Sequence, residues 1–317
     1  MLAAVCALGV SAIVTQLTLM RELLSAFSGN EMVLGIVLGN WMLLTGIGAH
    51  LGKTSDRLRR PLSVLLAALI LVAILPIGQV FALRALRNVV FVRGAMVAVT
   101  PTVLSCFVLL LPYCLVAGYL LTLTCRMLSP SGGPGSIGQV YFLDNLGDIL
   151  GGLAFTFVLV HVFDHFGALY VPAFLSLLLA AVVAIKFGKK GFLAAACVVA
   201  AGLATAVVTL DLDALSTRLE YAPRRVVYRG HSPYGSLVVT ESAGQFDFIE
   251  NGVPLFSTQN IEQIEETVHY AMAQRPEAAE VLLISGGVSG TALEILKYLT
   301  FLALENHSTV VVATHDY

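Results

Sequence analysis

Residues 281–298 read VLLISGGVSGTALEILKY: a short apolar run, three closely spaced glycines, then a helical pattern. The order predicts a strand over 280–284, a turn, and a helix over 289–298. Glycines at such a junction let the backbone approach a ligand closely. The start of the following helix presents free N–H groups to it. This is the first unit of a Rossmann-like sheet, although glycines at a strand–helix junction also serve as plain tight turns.

The sequence in front of that unit has a different character. Of the 317 residues, 57% are hydrophobic and 12% are charged, against about 25% charged in an ordinary soluble domain. The apolar residues fall into seven blocks, roughly 2–24, 31–52, 62–83, 99–124, 139–162, 168–186 and 192–210. Each is long enough to cross a bilayer, which takes about 20 apolar residues. The first block lacks a basic start and a clear small-residue cleavage site, so it reads as a membrane helix and not a signal peptide. Cys6, Cys106, Cys114, Cys125 and Cys197 all lie in these blocks without metal-type spacing and read as small core residues.

Charge divides the chain near Asp211. Residues 1–211 carry twelve Lys and Arg against seven Asp and Glu, while residues 212–317 carry six against thirteen. A tail net negative by seven excludes nucleic acid as a partner, because phosphate binding needs basic residues. It is compatible with a cationic ligand or with a plain acidic, solvated face. Within the tail, RVVYRG, GSLVVTES and QFDFIENG alternate and are rich in β-branched and aromatic residues, which predicts a small antiparallel sheet. Residues 260–274 predict a helix. The expected fold is a multi-span α-helical membrane bundle (1–211) followed by an α/β domain (212–317). The latter comprises a small antiparallel β-sheet over 212–258 and the start of a Rossmann-like, methyltransferase-type sheet over 259–317.

SPYGSLVVTESAGQFDFIENGVPLFS, IEQIEETVHYAM and VLLISGGVSGTALEILKY together resemble the spermidine synthase, or polyamine aminopropyltransferase, family. Ser232, Pro233 and Tyr234 match its S-P-Y-Q run, and Asn251-Gly252 falls where its D-G turn lies. Glu265 and His269 match the acid and histidine of its substrate helix. Gly286, Gly287 and Gly290 match glycines of its G-G-G-D-G-G turn, followed by Glu294 and Lys297. RELLSAFSGNE, GKTSDRLRRPL, LPYCLVAG and GQVYFLDNLGDILGGL resemble the membrane-fused branch, in which such a domain follows a helical bundle. GKTSDRLRR is also similar to the basic 2–3 loop of major facilitator transporters.

The resemblance implies a transferase acting on a polyamine with S-adenosylmethionine or its decarboxylated form as co-substrate, with no tightly bound cofactor. It implies Gly286, Gly287, Gly290 and Glu294 on the cofactor side and Tyr234, Glu265 and His269 on the substrate side. No residue is assigned as catalytic and no metal is expected. Several family residues are replaced: Gln259-Asn260 stand for its acids at the helix start, Gln263-Ile264 for its Tyr-His, and Val288 for the acid of the turn. Cationic ligands need carboxylates in a partly dry cleft. After Lys297 the pattern fades, and the Asp that would deprotonate the amine is not found. Asp316 lies too late to hold a ribose. Truncation or a disrupted frame after Lys297 is one expectation, and these 317 residues are not expected to transfer an aminopropyl group alone. The alternative is a membrane transporter or sensor with a degenerate ligand-binding tail.

Loop charge bears on orientation. Lys53, Arg57, Arg59 and Arg60, then Arg126, then Lys186, Lys189 and Lys190 share one side, which should be cytoplasmic. Arg84, Arg87 and Arg93 argue the other way. Seven crossings put the tail outside, whereas the transferase reading prefers it in the cytoplasm, in a multi-pass protein of the cell inner membrane. A re-entrant span, or an eighth hidden in 84–124, would reconcile the two. The expected partners are the lipid bilayer, a small cationic amine and a second copy of the chain. Arg21, Glu22, Asn30, Glu31, Asn40, His50, Asp144, Asn145 and Asp148 read as an Arg–Glu pair and helix-end caps. The rival reading is a polar cavity, with Asp144 and Asp148 one turn apart. HVFDH, 161–165, has His residues at a metal-like spacing but no third ligand.

Overall fold

The computed structural model of the chain describes residues 2–27, 29–92, 97–128, 134–275, 281–284, 287 and 289–306. It divides into two compact units. The first is Met1–Pro223 with Gly230–Ser236 and Asn251–Val253; the second is Arg224–Arg229, Leu237–Glu250 and Pro254–Tyr317.

The first unit is a helical bundle. Its long helices are α1 (Leu2–Ala26), α2 (Glu31–Leu51), α3 (Pro61–Val90), α4 (Val99–Leu128) and α5 (Pro134–Ala154). A π-helical turn, Phe155–Leu159, and the short α6 (Val160–Val162) extend α5. Then come α7 (His165–Lys186), α8 (Lys190–Thr209) and the short α9 (Leu212–Tyr221). Seven helices are long and apolar enough to cross a membrane, among them Gly138–Val162 and Lys190–Thr209. In lipid a helix is favoured because it satisfies its own backbone groups. No eighth helix of that kind occurs among the described residues. Residues 129–133 and Arg93 lie outside the described residues.

One of the expected caps is found, and Asp164 supplies another. Asn30 accepts a hydrogen bond from Val33 N at 2.9 Å and starts α2. Asp164 accepts one from Gly167 N at 2.6 Å and starts α7. The break this creates puts His161 at the end of α6 and His165 at the start of α7, so the two do not share one helix face. Small residues bring helices together. A Cβ at Gly147 would overlap the Cys6 carbonyl on α1, and one at Gly118 on α4 would overlap that of Thr45 on α2. The core contains Leu19, Leu23, Leu44, Leu66, Leu110 and Phe166. Of the cysteines, Cys106 and Cys114 are buried, whereas Cys197 is exposed.

The second unit begins with an antiparallel meander. Its strands β1 (Arg225–His231), β2 (Ser236–Ser242), β3 (Gln245–Glu250) and β4 (Val253–Ser257) lie in sequence order. Ser242 pairs with Gln245 across Ala243 (φ 51°) and Gly244 (φ 82°). Asn251 (φ 49°) and Gly252 (φ 76°) make the next turn. Two residues at positive φ are the mark of the hairpin turn whose twist suits the strands. Helices α10 (Ile261–Ala273) and α11 (Thr291–Asn306) follow.

The expected strand over 280–284 is not found: residues 281–284 are irregular and join no sheet. The helical bundle and small antiparallel sheet stand, and the Rossmann-like layer does not form among the described residues. Val281–Ile284 has apolar side chains, but a buried parallel strand also needs a neighbouring strand to pair with. Residue 280, Gly286, Val288 and residues 307–317, including Asp316, lie outside the described residues.

Candidate functional site

The tail residues named by sequence separate into distinct places. Tyr234 is 90% exposed. It lies in a tight turn where Ser232 Oγ accepts hydrogen bonds from Tyr234 N and Gly235 N, each at 3.2 Å. Arg21 donates to the Ser232 carbonyl at 3.2 Å. Ser232 and Arg21 both belong to the bundle unit.

In the second unit, Glu265 and His269 are exposed on α10. His269 Nε2 lies 3.2 Å from Glu294 Oε1 on α11. Lys297 Nζ donates to Glu294 Oε2 at 3.0 Å, and this bond, ahead of the His269 contact, holds the Glu294 carboxyl below its ordinary range. Gly287 is in the turn, and Gly290 has φ 96°, a conformation that favours glycine. Its neighbour Ser289 bonds Thr291 Oγ1 at 2.8 Å where α11 starts.

A pocket of about 210 Å³ opens between β4, the first two turns of α10 and this junction. Its walls are Leu255, Phe256, Ser257, Asn260, Gln263, Ile264, Thr267, Ser289 and Thr291. Residues 260, 263, 264 and 267 share one helical face, so Glu265 and His269 point elsewhere. Among the described residues no carboxylate lines the pocket. Asn260 and Gln263 supply amide groups; Asn260 Nδ2 donates to Gln263 Oε1 at 2.6 Å.

The strongest electrostatic arrangement was not foreseen. Arg84 on α3 is buried with a bidentate grip on Glu22 of α1, at 2.9 and 2.5 Å. It also donates to Asp213 of α9 at 2.6 Å and to Ser216 at 3.2 Å. His165 Nδ1 contacts Glu22, and His231 Nε2 lies 2.9 Å from Asp213 Oδ2. The Arg84 guanidinium also lies 5.3 Å from the centre of the Phe166 ring. Nearby, Arg87 donates to the Ala26 carbonyl at 2.9 Å. Burial alone would raise the Asp213 carboxyl, but the His231 hydrogen bond and the Arg84 charge together hold it well below its ordinary range. Burial pushes Glu220, on the same helix, up to about 7.

Glu22 thus has the expected arginine partner, but it is Arg84 and not its neighbour Arg21. Chain proximity favoured Arg21; the packing of α1 against α3 decided for Arg84. The available signal was an arginine at the end of an apolar block, which needs a partner. Asp164, Asp213 and His231 offer ligand atoms all within 4.8 Å of one another. Both Asp213 oxygens are already engaged, one by Arg84 and one by His231, so an added cation would compete with a guanidinium. This cluster ties helix ends together; it presents no open ligand position.

The network also orders the bundle ends. The C-terminal ends of α1 and α3, the start of α7 and α9 meet at it. The ends of α2 and α4 meet elsewhere, where Arg126 donates to the Lys53 carbonyl and Ser55 Oγ at 3.2 and 2.9 Å. No family model matches the chain, and neither a curated protein nor a solved structure does.

Proposed function

We propose that this is a multi-pass membrane protein whose tail is a degenerate spermidine-synthase-like module, one that binds an uncharged polar ligand and catalyses no transfer by itself. The observation that carries this reading is the wall of the tail pocket. Its amide and hydroxyl groups, with Phe256 and Ile264 beside them, suit the nucleoside half of an S-adenosyl ligand. They do not suit a diamine, whose ammonium groups need carboxylates when desolvated. At about 210 Å³ the pocket is below the about 300–1,000 Å³ of most ligand sites, which favours a fragment-sized group over donor and acceptor together.

Sidedness supports the same reading. Arg84 and Arg87 are buried and hydrogen-bonded, so they do not count as loop charges. With them removed, the basic loops lie at the end of the bundle bearing Lys53 and Arg126, and the chain leaves its last crossing at the other end. The positive-inside rule then puts the exit of α8 on the non-cytoplasmic face, in a cell inner membrane. A cytoplasmic S-adenosyl donor does not reach that face unaided. A sensor of an external ligand fits this placement.

The test is isothermal titration of the full chain in detergent with S-adenosylmethionine, its decarboxylated form, adenosine and putrescine. Binding of the nucleoside-bearing compounds, weakened by Gln263→Leu, is expected, whereas any heat from putrescine should be unchanged by that substitution. Spermidine formation from decarboxylated S-adenosylmethionine and putrescine refutes the reading. A transporter is the second reading, favoured by a cavity inside the bundle lined by Asp144 and Asp148.

A further inference from the structure

The bundle cavity has a volume of about 190 Å³ and lies between α1, α2, α3, α4, α5 and α7. Most of its wall is apolar, from Leu8, Val72, Leu120 and similar residues, with Ser11, Gln16, Thr45 and Ser176 adding polar atoms. Asp144 and Asp148 face it from one side of α5, and Trp41 and Tyr113 from α2 and α4. The absence of a Cβ at Gly147 permits the close approach of α1 and α5, and Ser11 and Gln16 of α1 line the same cavity as the two carboxylates.

Three observations distinguish this cavity from a packing defect. Neither carboxylate has an ion-pair or hydrogen-bond partner among the described residues, and no Lys, Arg or His lines the wall. Both lie in a helix apolar enough to cross a membrane, where a carboxylate without a counter-charge is costly. Trp41 is 8% exposed and lines the cavity, and its indole N–H meets no acceptor among the described residues. Its ring stands 5.5 Å from that of Tyr113, so two π faces border a space that also holds two acids. Elsewhere in the bundle the opposite holds: Glu22 is fully matched by Arg84 and His165.

We propose that this cavity is a binding site for a small organic ammonium ion. The carboxylates supply the counter-charge, the aromatic rings take the cation on their faces, and the apolar wall accepts the alkyl body. An inorganic cation is a poorer fit, because it needs a shell of several oxygens and the helical carbonyls are already bonded. With two acids and no base, the site is neutral when it holds a diammonium, or one ammonium and one proton. This assignment is independent of the reading of the tail.

Trp41 is the only tryptophan in the chain, so its fluorescence reports on the site directly. The full chain in nanodiscs is titrated with n-butylammonium, with 1,4-diaminobutane, with sodium, and with n-butanol as the uncharged control. A saturable change in Trp41 emission with one or both amines, absent with butanol and sodium, is expected. The two amines distinguish the ammonium-plus-proton site from the diammonium site. Asp144→Asn/Asp148→Asn should weaken binding more than tenfold while leaving the adenosine titration of the tail unchanged. Absence of a saturable response to either amine at millimolar concentration overturns the proposal, even if the variant does not fold. So does an equal response to butanol, or an unchanged affinity in a folded variant.

Discussion

Arg84→Met is the perturbation that the structure predicts most sharply. The Arg84 side chain is 8% exposed, that of Glu22 4% and that of Asp213 1%. Removing the guanidinium leaves two carboxylates with half of their counter-charge gone and no water to replace it. Breaking one buried pair from one side costs about 3–5 kcal/mol. The two pairs share a partner, so their losses do not simply add. His165 still contacts Glu22, and His231 still contacts Asp213, so the total stays near the cost of one pair. At about 2–4 °C per kcal/mol for a chain of this order of size, the melting midpoint should fall by about 6–20 °C. The assay is the monodisperse size-exclusion peak remaining after heating in detergent. Glu22→Gln/Asp213→Asn added to Arg84→Met should recover at least half of the loss, because no buried charge is then left alone. Arg84→Lys should recover little, since an ammonium cannot reproduce the two-pronged grip on Glu22. A midpoint within about 2 °C of the parent for Arg84→Met, or a triple variant worse than the single, refutes the reasoning.

Burial raises Glu220 from 4.5 to about 7, so the folded chain keeps a proton that the unfolded chain releases. Stability should therefore be fully present below about pH 4.5 and fall by up to about 3 kcal/mol as pH rises to 7, and Glu220→Gln should flatten that slope in thermal scans. Gly252→Ala forces an alanine to φ 76° and presses its Cβ on the Ser25 carbonyl; a loss of roughly 1–2 kcal/mol in a denaturation curve is expected. Gly118→Val drives a side chain into the Thr45 carbonyl and should abolish the monodisperse peak, whereas Gly202→Val, which meets no atom within 4 Å, should be silent. Single cysteines at Lys190 and Asp211, in a chain freed of its native five, should label from opposite sides of an intact inner membrane, with Asp211 reached from outside. Labelling from the same side contradicts the seven crossings.

Much of the architecture was legible because its signals are local. A run of about 20 apolar residues has one good conformation in lipid, the helix. All seven blocks return as helices with ends shifted by a few residues. The hairpin at Asn251-Gly252 was legible for the same reason, since two adjacent residues that tolerate positive φ specify the turn. The helix after the glycines began near Thr291 as its pattern indicated. The hairpin at Ala243-Gly244 was hidden, because alanine at φ 51° carries no sequence mark.

What the sequence could not decide was which distant residues meet. It put Glu265 and His269 together on the substrate side. The structure gave His269 to Glu294, 25 residues away, and turned Glu265 from the pocket. It paired Glu22 with Arg84 across 62 residues and joined Asp213 to both, making buried cross-links of charges that read as loop and surface. It also left Val281–Ile284 without the neighbouring strand that their composition anticipates. Hydropathy and turn chemistry act through a few consecutive bonds, so the order of residues by itself established the helices, their number and the hairpin. A counter-charge, a pocket wall or a sheet partner is set by how those pieces pack in space, and only the tertiary structure could assign them.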